Sequence, residues 1–326
     1  MLDLITIENL PNTWIGKITN FIRYFSGYGI FPFFISFIIT YRCNLNCDFC
    51  YQRKLRLKNS IKSLDLNFND LKIIEKNIDT FLFKPRIHIY GGEPTIHKNF
   101  LNIIKFFDER NYKIYLTTNG TKLKEFAKKF SELRNFKEIN ISLNPKKWRR
   151  NIKFVIKKLK KNKNLKINVV YTFSKNNTND NFIKILKLFE DTRIDSLIFQ
   201  HVMFNPKNIG RSNLNRLLSQ IYKIHKCNEK TKFRIRFFPL IKTRDIKNYY
   251  NDLNFHKKKC LKPWFTLTIL PNGDVMPCEE SNLKRGFGNV KNESLKKIWN
   301  NNKFRKFRIK IQKGYCIFSC CHKQFY

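Results

Sequence analysis

Between Phe33 and His225 the chain alternates short β-rich runs with stretches of helical periodicity, and this alternation constrains the fold more than any other feature. The strand-like runs are Phe33–Thr40, "RIHIYGG", "KIYLTTNG", "EINISLN", "KINVVYTF" and "IDSLIFQHV". Helices are expected over Asn69–Phe83, Asn99–Glu109, Leu123–Leu133, Trp148–Lys161, Asn181–Phe189 and Leu214–His225. Six βα units joined by right-handed crossovers make a parallel sheet with its helices outside. Six units fall short of the eight that close a barrel. The expected fold is therefore α/β, an open, partial (βα)6 parallel barrel, with "FRIRFF" as a candidate seventh strand.

The ends of the chain read differently. Trp14, Ile15, Ile18, Phe21, Ile22 and Phe25 recur at helical spacing, so residues 1–30 are expected to hold an amphipathic helix. Such a helix packs on the domain it precedes or makes peripheral membrane contact. Residues 31–240 form the barrel domain, and residues 241–326 a small C-terminal domain. There "FTLTILPNGDVMPC" reads as two short strands around a turn, and "ESLKKIWNNNKFRKFRIKIQ" as a helix with a break at its Asn run. The apolar stretch Ile22–Ile39 contains Arg23, Gly27, Gly29 and Pro32, a set unsuited to a spanning helix. No secretory signal is visible, so the expected location is cytoplasmic and the nine cysteines are expected to stay reduced.

Three of those cysteines fall in "YRCNLNCDFCYQ". Cys43, Cys47 and Cys50 read C-x3-C-x2-C, at the end of the first strand, where α/β barrels place active sites. A structural zinc site takes four ligands, and so does an ordinary iron–sulfur cluster. No fourth cysteine or histidine follows before His88, so either a ligand comes from outside the chain or the trio is a chance cluster or part of a zinc site. The second strand ends "YGGEPTIH", where two glycines let backbone approach a ligand closely and Glu93 supplies a charge for an ammonium group.

Together these motifs resemble the radical S-adenosylmethionine (SAM) superfamily. Cys43, Cys47 and Cys50 match its cysteine loop, and Phe49 its aromatic residue before the third cysteine. The resemblance implies that the three thiolates hold a 4Fe–4S cluster whose open iron is ligated by SAM. It also implies that Gly91, Gly92, Glu93 and Pro94 grip the SAM amino group. Weaker matches are Thr118 in "TTNGT", Ser142 and Asn144 in "ISLN", and Gln200 and Met203 in "FQHVM", where relatives meet the rest of SAM. Asn144 stands where relatives often carry an acid.

Five cysteines lie in the tail: Cys260, Cys278, Cys316, Cys320 and Cys321. With Gly273 and Cys278 spaced G-x4-C, the tail resembles the SPASM or shorter twitch extension, which binds auxiliary 4Fe–4S clusters. The full pattern has seven cysteines and two clusters, so one auxiliary cluster is expected here, with either Cys320 or Cys321 as its last ligand. Zinc on the same thiolates is the alternative. Cys227 reads as a packed thiol.

The resemblance implies reductive cleavage of SAM, hydrogen abstraction by a 5′-deoxyadenosyl radical, and an electron donor such as flavodoxin or ferredoxin. The auxiliary cluster would assist an oxidation. His88, Tyr90, His97, His201 and Glu279 are candidate proton acceptors. The substrate is expected to be a peptide or a small molecule. The formal charge of +41 raises radical-based RNA modification, or a basic iron–sulfur protein that binds nucleic acid without SAM turnover. However, the basic residues are spread along the whole chain, and alanine is nearly absent, as AT-rich coding produces. Only non-specific, salt-sensitive nucleic-acid binding is therefore expected.

Overall fold

The computed structural model describes residues 26–53, 65–79, 81, 83–143, 151–178, 180–202, 209–227, 231–239, 241–251, 260–278 and 286–313. The expected N-terminal helix and Asn144, Met203, Glu279, Cys316, Cys320 and Cys321 lie outside the described residues.

Seven strands run parallel and in sequence order: β1 (Phe34–Thr40), β2 (Arg86–Gly91), β3 (Ile114–Thr118), β4 (Phe136–Ser142), β5 (Lys166–Thr172), β6 (Ser196–Gln200) and β7 (Arg234–Phe238). The candidate seventh strand is thus a member of the sheet. On the far side of β1, β8 (Thr266–Ile269) adds in parallel and β9 (Val275–Met276) returns antiparallel. The hairpin expected in the tail therefore extends the barrel sheet itself, giving nine strands with β7 and β9 at the edges.

The intervening helices are α1 (Phe68–Ile78), α2 (Phe100–Glu109), α3 (Leu123–Phe130), α4 (Ile152–Leu159), α5 (Phe182–Lys187) and α6 (Arg211–Cys227). After β7 come α7 (Ile246–Asn251), α8 (Leu295–Trp299) and α9 (Asn302–Gln312). Helix α1 stops at Ile78, short of Phe83, with Asp79 as its C-cap donating its N–H to the Glu75 carbonyl at 2.9 Å. The break at the Asn run is real. Asn301 caps α9 by accepting from the Phe304 N–H at 3.0 Å, while Asn300 holds both backbone groups of Gly29.

Successive strand residues face opposite sides of the sheet. One side is apolar: Ile35, Phe37, Ile87, Ile89, Ile139 and Ile167 share a single core with Phe100, Ile103 and Phe107 of α2 and Val155 and Ile156 of α4. This is the helix-covered outside. The other side carries Ser36, His88, Thr117, Glu138, Asn140, Asn168 and Ser196. Parallel sheets buried on both faces are usually apolar on both. A polar inner face marks the lumen of an open barrel. It is also internally satisfied: Ser196 Oγ donates to Asn168 at 2.7 Å, Asn168 to Asn140 at 3.1 Å, and Asn140 to Glu138 at 3.1 Å.

Candidate functional site

The cysteine loop begins where β1 ends and is fastened on two sides. On one side, Asp65 accepts from Thr40 Oγ1 at 2.6 Å and forms a two-pronged ion pair with Arg42. On the other, the end of β2 lies directly against the exit of β1. The Gly92 N–H donates to the Thr40 carbonyl at 2.7 Å, and the Glu93 N–H to the Arg42 carbonyl at 2.8 Å. No side chain fits in this approach. Gly91 has φ +149°, and a Cβ there would strike the Thr40 carbonyl; one on Gly92 would strike that of Arg42. Pro94 then opens a short 3-10 turn to Ile96, which suits a residue with no N–H to give.

Glu93 faces inward. Its Oε1 accepts from the Thr95 N–H at 3.0 Å, the Thr95 hydroxyl at 2.6 Å and the Thr118 hydroxyl at 2.7 Å. Its Oε2 accepts from the Asn119 N–H at 2.6 Å. The carboxylate is fully buried and engages four donors of its own chain, so it ties the end of β2 to the end of β3. Thr118 is buried in the same brace. Burial pushes the Glu93 carboxyl above its usual range, against the pull of these donors.

This arrangement fixes the sign of a test. Because the folded-state pKa is raised, the stability that Glu93 contributes is fully present below its unfolded pKa and declines as pH rises through the folded value. Glu93→Gln has no such titration but sets an amide N–H₂ or a lost acceptor against one of the four donors, costing about 1–3 kcal/mol. The deficit in thermal stability should be largest in acid and narrow toward alkaline pH. A deficit that widens with pH would show that the carboxylate is held as a favourable ion.

The three cysteines are half-buried at the loop. Cys47 is pushed up to about 11 by burial, then by the neighbouring Cys50 and Cys43 thiols, so the three are electrostatically close. The Cys50 N–H bonds the Cys47 carbonyl at 3.3 Å. Cys43 Sγ accepts from the Leu45 N–H at 3.4 Å and the Asn119 amide at 3.9 Å. Asn119 also donates to Asn44 at 2.8 Å, and Asn44 to Thr121 at 2.9 Å. The "TTNGT" turn therefore braces the cysteine loop. Three soft thiols, each able to take one corner of a cubane, with donors aimed at a sulfur, are a donor set that fits a 4Fe–4S cluster with an open iron.

Other sequence candidates separate clearly. Ser142 and Gln200 sit half-buried at the lumen ends of β4 and β6. Phe49 packs against the main core. His88 and Tyr90 share the lumen face and stack, with ring centroids 5.0 Å apart; His88 also meets Ser36 at 3.3 Å and Thr117 at 2.9 Å. His97 is a structural pin, bonded to the Leu66 carbonyl at 3.0 Å and the Asn99 N–H at 3.1 Å. His201 is turned outward. It meets Tyr250 OH at 2.8 Å and is ringed by Phe173, Phe237 and Tyr249, so it does not face the lumen as a proton acceptor would.

Sequence reasoning missed Asn44, Arg42, Asp65 and Asn119. Of the "TTNGT" run only Thr118 stood out in the sequence, and nothing local marks Asp65 as the partner of Arg42.

The tail reaches the same loop. Leu270 packs on Ile38, Tyr41 and Tyr90, and burial followed by the nearby Asp274 pushes the Tyr41 phenol up to about 12. Cys260 and Cys278 are buried at the opposite end of the hairpin, since Thr266 lies beside Phe34 and Met276 beside Thr268. The length of β1 separates them from the cysteine loop, about 20 Å at 3.3 Å per residue.

An open parallel barrel with a three-thiol loop at one strand end and a glycine clamp at the next defines an iron–sulfur enzyme scaffold. Residues 37–208 match the radical SAM superfamily profile, more than half of the chain, and the protein belongs to that superfamily. Residues 260–322 match SPASM, an iron–sulfur cluster-binding domain. The radical SAM domain binds SAM and a 4Fe–4S cluster, and the SPASM domain binds auxiliary iron–sulfur clusters.

A tungsten-containing aldehyde ferredoxin oxidoreductase cofactor-modifying protein of Pyrococcus furiosus is 24% identical, over 86% of this chain and 84% of that one. Streptococcus suis SuiB bound to precursor peptide SuiA has a similar fold, with TM-score 0.62, 15% identity, and coverage of 90% of this chain and 70% of that one. The structure of anSMEcpe with bound AdoMet has TM-score 0.63, 18% identity, and coverage of 86% and 81%. Among the described residues, no helix is long and apolar enough to cross a membrane.

Proposed function

We propose that the protein is a SPASM-type maturase that removes hydrogen from a peptide substrate and completes a two-electron oxidation with the help of one auxiliary cluster. The observation that carries this reading is the polar inner face of the sheet, with the cysteine loop following the end of β1 and the buried Cys260 and Cys278 flanking the β8–β9 hairpin that pairs with β1. A 4Fe–4S cluster held by Cys43, Cys47 and Cys50 would supply the electron for reductive cleavage of bound SAM, the source of the hydrogen-abstracting radical.

The chain's own residues do the rest. Cys43, Cys47 and Cys50 would hold the loop cluster. Gly91 and Gly92 would present their backbone to the SAM amino group, and Glu93 with Thr118 would keep that backbone still. Ser142 and Gln200, at the ends of β4 and β6, would face the rest of SAM. Of the histidines considered, His88 is the one on the lumen face, where Ser36 and Thr117 fix its ring for accepting a proton. Cys260 and Cys278, with tail thiols, would hold the auxiliary cluster. The peptide complex of SuiB, a protein of the same fold, supports the substrate class.

The test is anaerobic reconstitution and incubation with SAM, a low-potential reductant and peptides encoded beside the gene. About eight irons per chain are expected from two cubanes, together with 5′-deoxyadenosine and a peptide lighter by two hydrogens. Turnover that requires RNA, or that modifies only a small molecule, would overturn the peptide reading. Half that iron with zinc in the tail would overturn the auxiliary cluster.

A further inference from the structure

Arg308 is a buried cation without a counter-ion. It belongs to α9, is fully buried, and among the described residues no acid pairs with it. Its Nε donates to the Pro263 carbonyl at 2.9 Å, and its Nη1 to the Gly27 carbonyl and to Asn300 Oδ1 at 3.0 Å each. All three acceptors are neutral. Its Nη2 is buried and has no hydrogen-bond partner. The guanidinium lies over the Trp299 ring, 4.1 Å from its centroid, and 5.1 Å from that of Phe304. These rings attract a cation but carry no net charge. Burial alone pulls the group down, to about 9, so it is still charged at neutral pH.

A buried charge with no opposite charge near it is strongly unfavourable. The charge that suits Arg308 lies along its bond to Pro263, which stands three residues after Cys260. Three Cα steps span at most about 11 Å. Cys260, Pro263 and Trp264 are all buried, so water screens this interval little. Cys278, also buried, flanks the same hairpin. Buried soft thiols with an orphaned cationic donor nearby fit an iron–sulfur cluster better than an empty apolar core. Four thiolates outweigh the positive charge of a cubane, and reduction adds one negative charge more. A cation fixed by the fold favours that reduced form over the oxidised one.

We propose that Arg308 is the fixed counter-charge of the auxiliary cluster and raises its reduction potential, so that the tail accepts an electron more readily. This rests on the single auxiliary cluster proposed above and not on the substrate class. Arg308 acts through its field and is not a ligand. The electron that reduces the cluster is the one that the substrate radical loses on oxidation. The surroundings hold the charge in place: a Cβ on Gly29 would come within 2.6 Å of Trp299 Nε1 and 2.8 Å of Arg308 Nη2, so only glycine lets this segment close over the pair.

The test uses the full chain carrying Cys43→Ala, Cys47→Ala and Cys50→Ala, which leaves the tail thiols to bind iron. After anaerobic reconstitution its midpoint potential is read by electron paramagnetic resonance during a dithionite titration. The titration is run at pH 6, which favours a charged lysine. Added to this parent, Arg308→Gln should be at least tenfold harder to reduce, a move of about 59 mV to more negative potential for one electron. Arg308→Lys keeps the charge but loses the planar fork, and should keep the parent potential. A residue that only staples the tail would move both variants alike or neither. Asn300→Asp retains Arg308 and sets a carboxylate beside its Nη1, so its potential should fall as in Arg308→Gln. This variant decides the matter if loss of the arginine prevents folding. Equal potentials in Arg308→Gln and Arg308→Lys, or an unchanged potential in Asn300→Asp, would overturn the proposal. A parent that takes up zinc and no cubane would instead overturn the auxiliary-cluster reading beneath it.

Discussion

Gly92→Ala should cut SAM cleavage roughly 100-fold while leaving the loop iron in place. The reason is geometric. The added Cβ would collide with the Arg42 carbonyl oxygen, and the Tyr41 carbonyl lies 2.6 Å away. Both are backbone atoms, so no rotamer change relieves the clash. The chain must move apart, and the bonds from Gly92 to Thr40 and from Glu93 to Arg42 are the ones that stretch. Overpacking of this kind costs typically 1–3 kcal/mol. A displacement of about 1 Å in a positioning element can cost two orders of magnitude in rate. The cysteines belong to the other side of the contact and keep their own brace through Asp65 and Asn119.

Gly210→Ala is the matched control, because it has positive φ but nothing within 4 Å of the new Cβ. It should lose stability through backbone strain alone and cleave SAM normally. 5′-Deoxyadenosine release, with iron assay on the same samples, decides the matter. Normal cleavage by Gly92→Ala would show that this approach does not set the SAM site.

The close approach of β2 to β1 also shows what a sequence can and cannot reveal. "YGGEP" announces a glycine-dependent contact, but not with what. Only the parallel register of β1 and β2 brings Gly91 beside Thr40. Glu93 reads in sequence as a charge for a ligand, yet the fold surrounds it with Thr95, Thr118 and Asn119, two of them some 25 residues away in the chain. Its carboxyl oxygens are taken up by the chain's own donors.

The strands themselves were legible because each is a short β-branched run bounded by Gly, Pro or Asn. The polar lumen was less so. Its residues come from alternate positions of separate strands, and Asn140 and Asn168 look like surface residues until the sheet curls around them. His201 misled for the same reason, since one step along β6 exchanges the lumen for the aromatic outer core. The tail hairpin was legible as a hairpin, but its pairing with β1 was not. Parallel addition next to a strand more than 200 residues earlier leaves no local signature.

That pairing sets up the second large effect, a division of labour between the two thiol groups. Cys47→Ala should abolish 5′-deoxyadenosine formation altogether, because a cubane lacking one corner thiolate does not keep its open iron positioned for SAM. Cys278→Ala should act at the far end of the lumen, about the length of β1 away. It should lose oxidised product and about half the iron, yet keep cleaving SAM, now without coupling to the substrate. Two features argue that the loop survives this change. Leu270, packed against the Ile38, Tyr41 and Tyr90 cluster, and Asp274, whose charge acts on Tyr41, belong to the turn end of the hairpin, whereas Cys278 belongs to the other end. The tail is also held independently by Arg308, which is fully buried and donates to the Pro263 carbonyl at 2.9 Å and to Gly27 and Asn300 at 3.0 Å. The comparison is read as the ratio of peptide product to 5′-deoxyadenosine in each variant. A ratio near zero with brisk SAM cleavage is expected for Cys278→Ala, and no cleavage at all for Cys47→Ala. Identical failure of both variants, each folded and loaded with its remaining cluster, would mean that the tail thiols serve SAM cleavage itself.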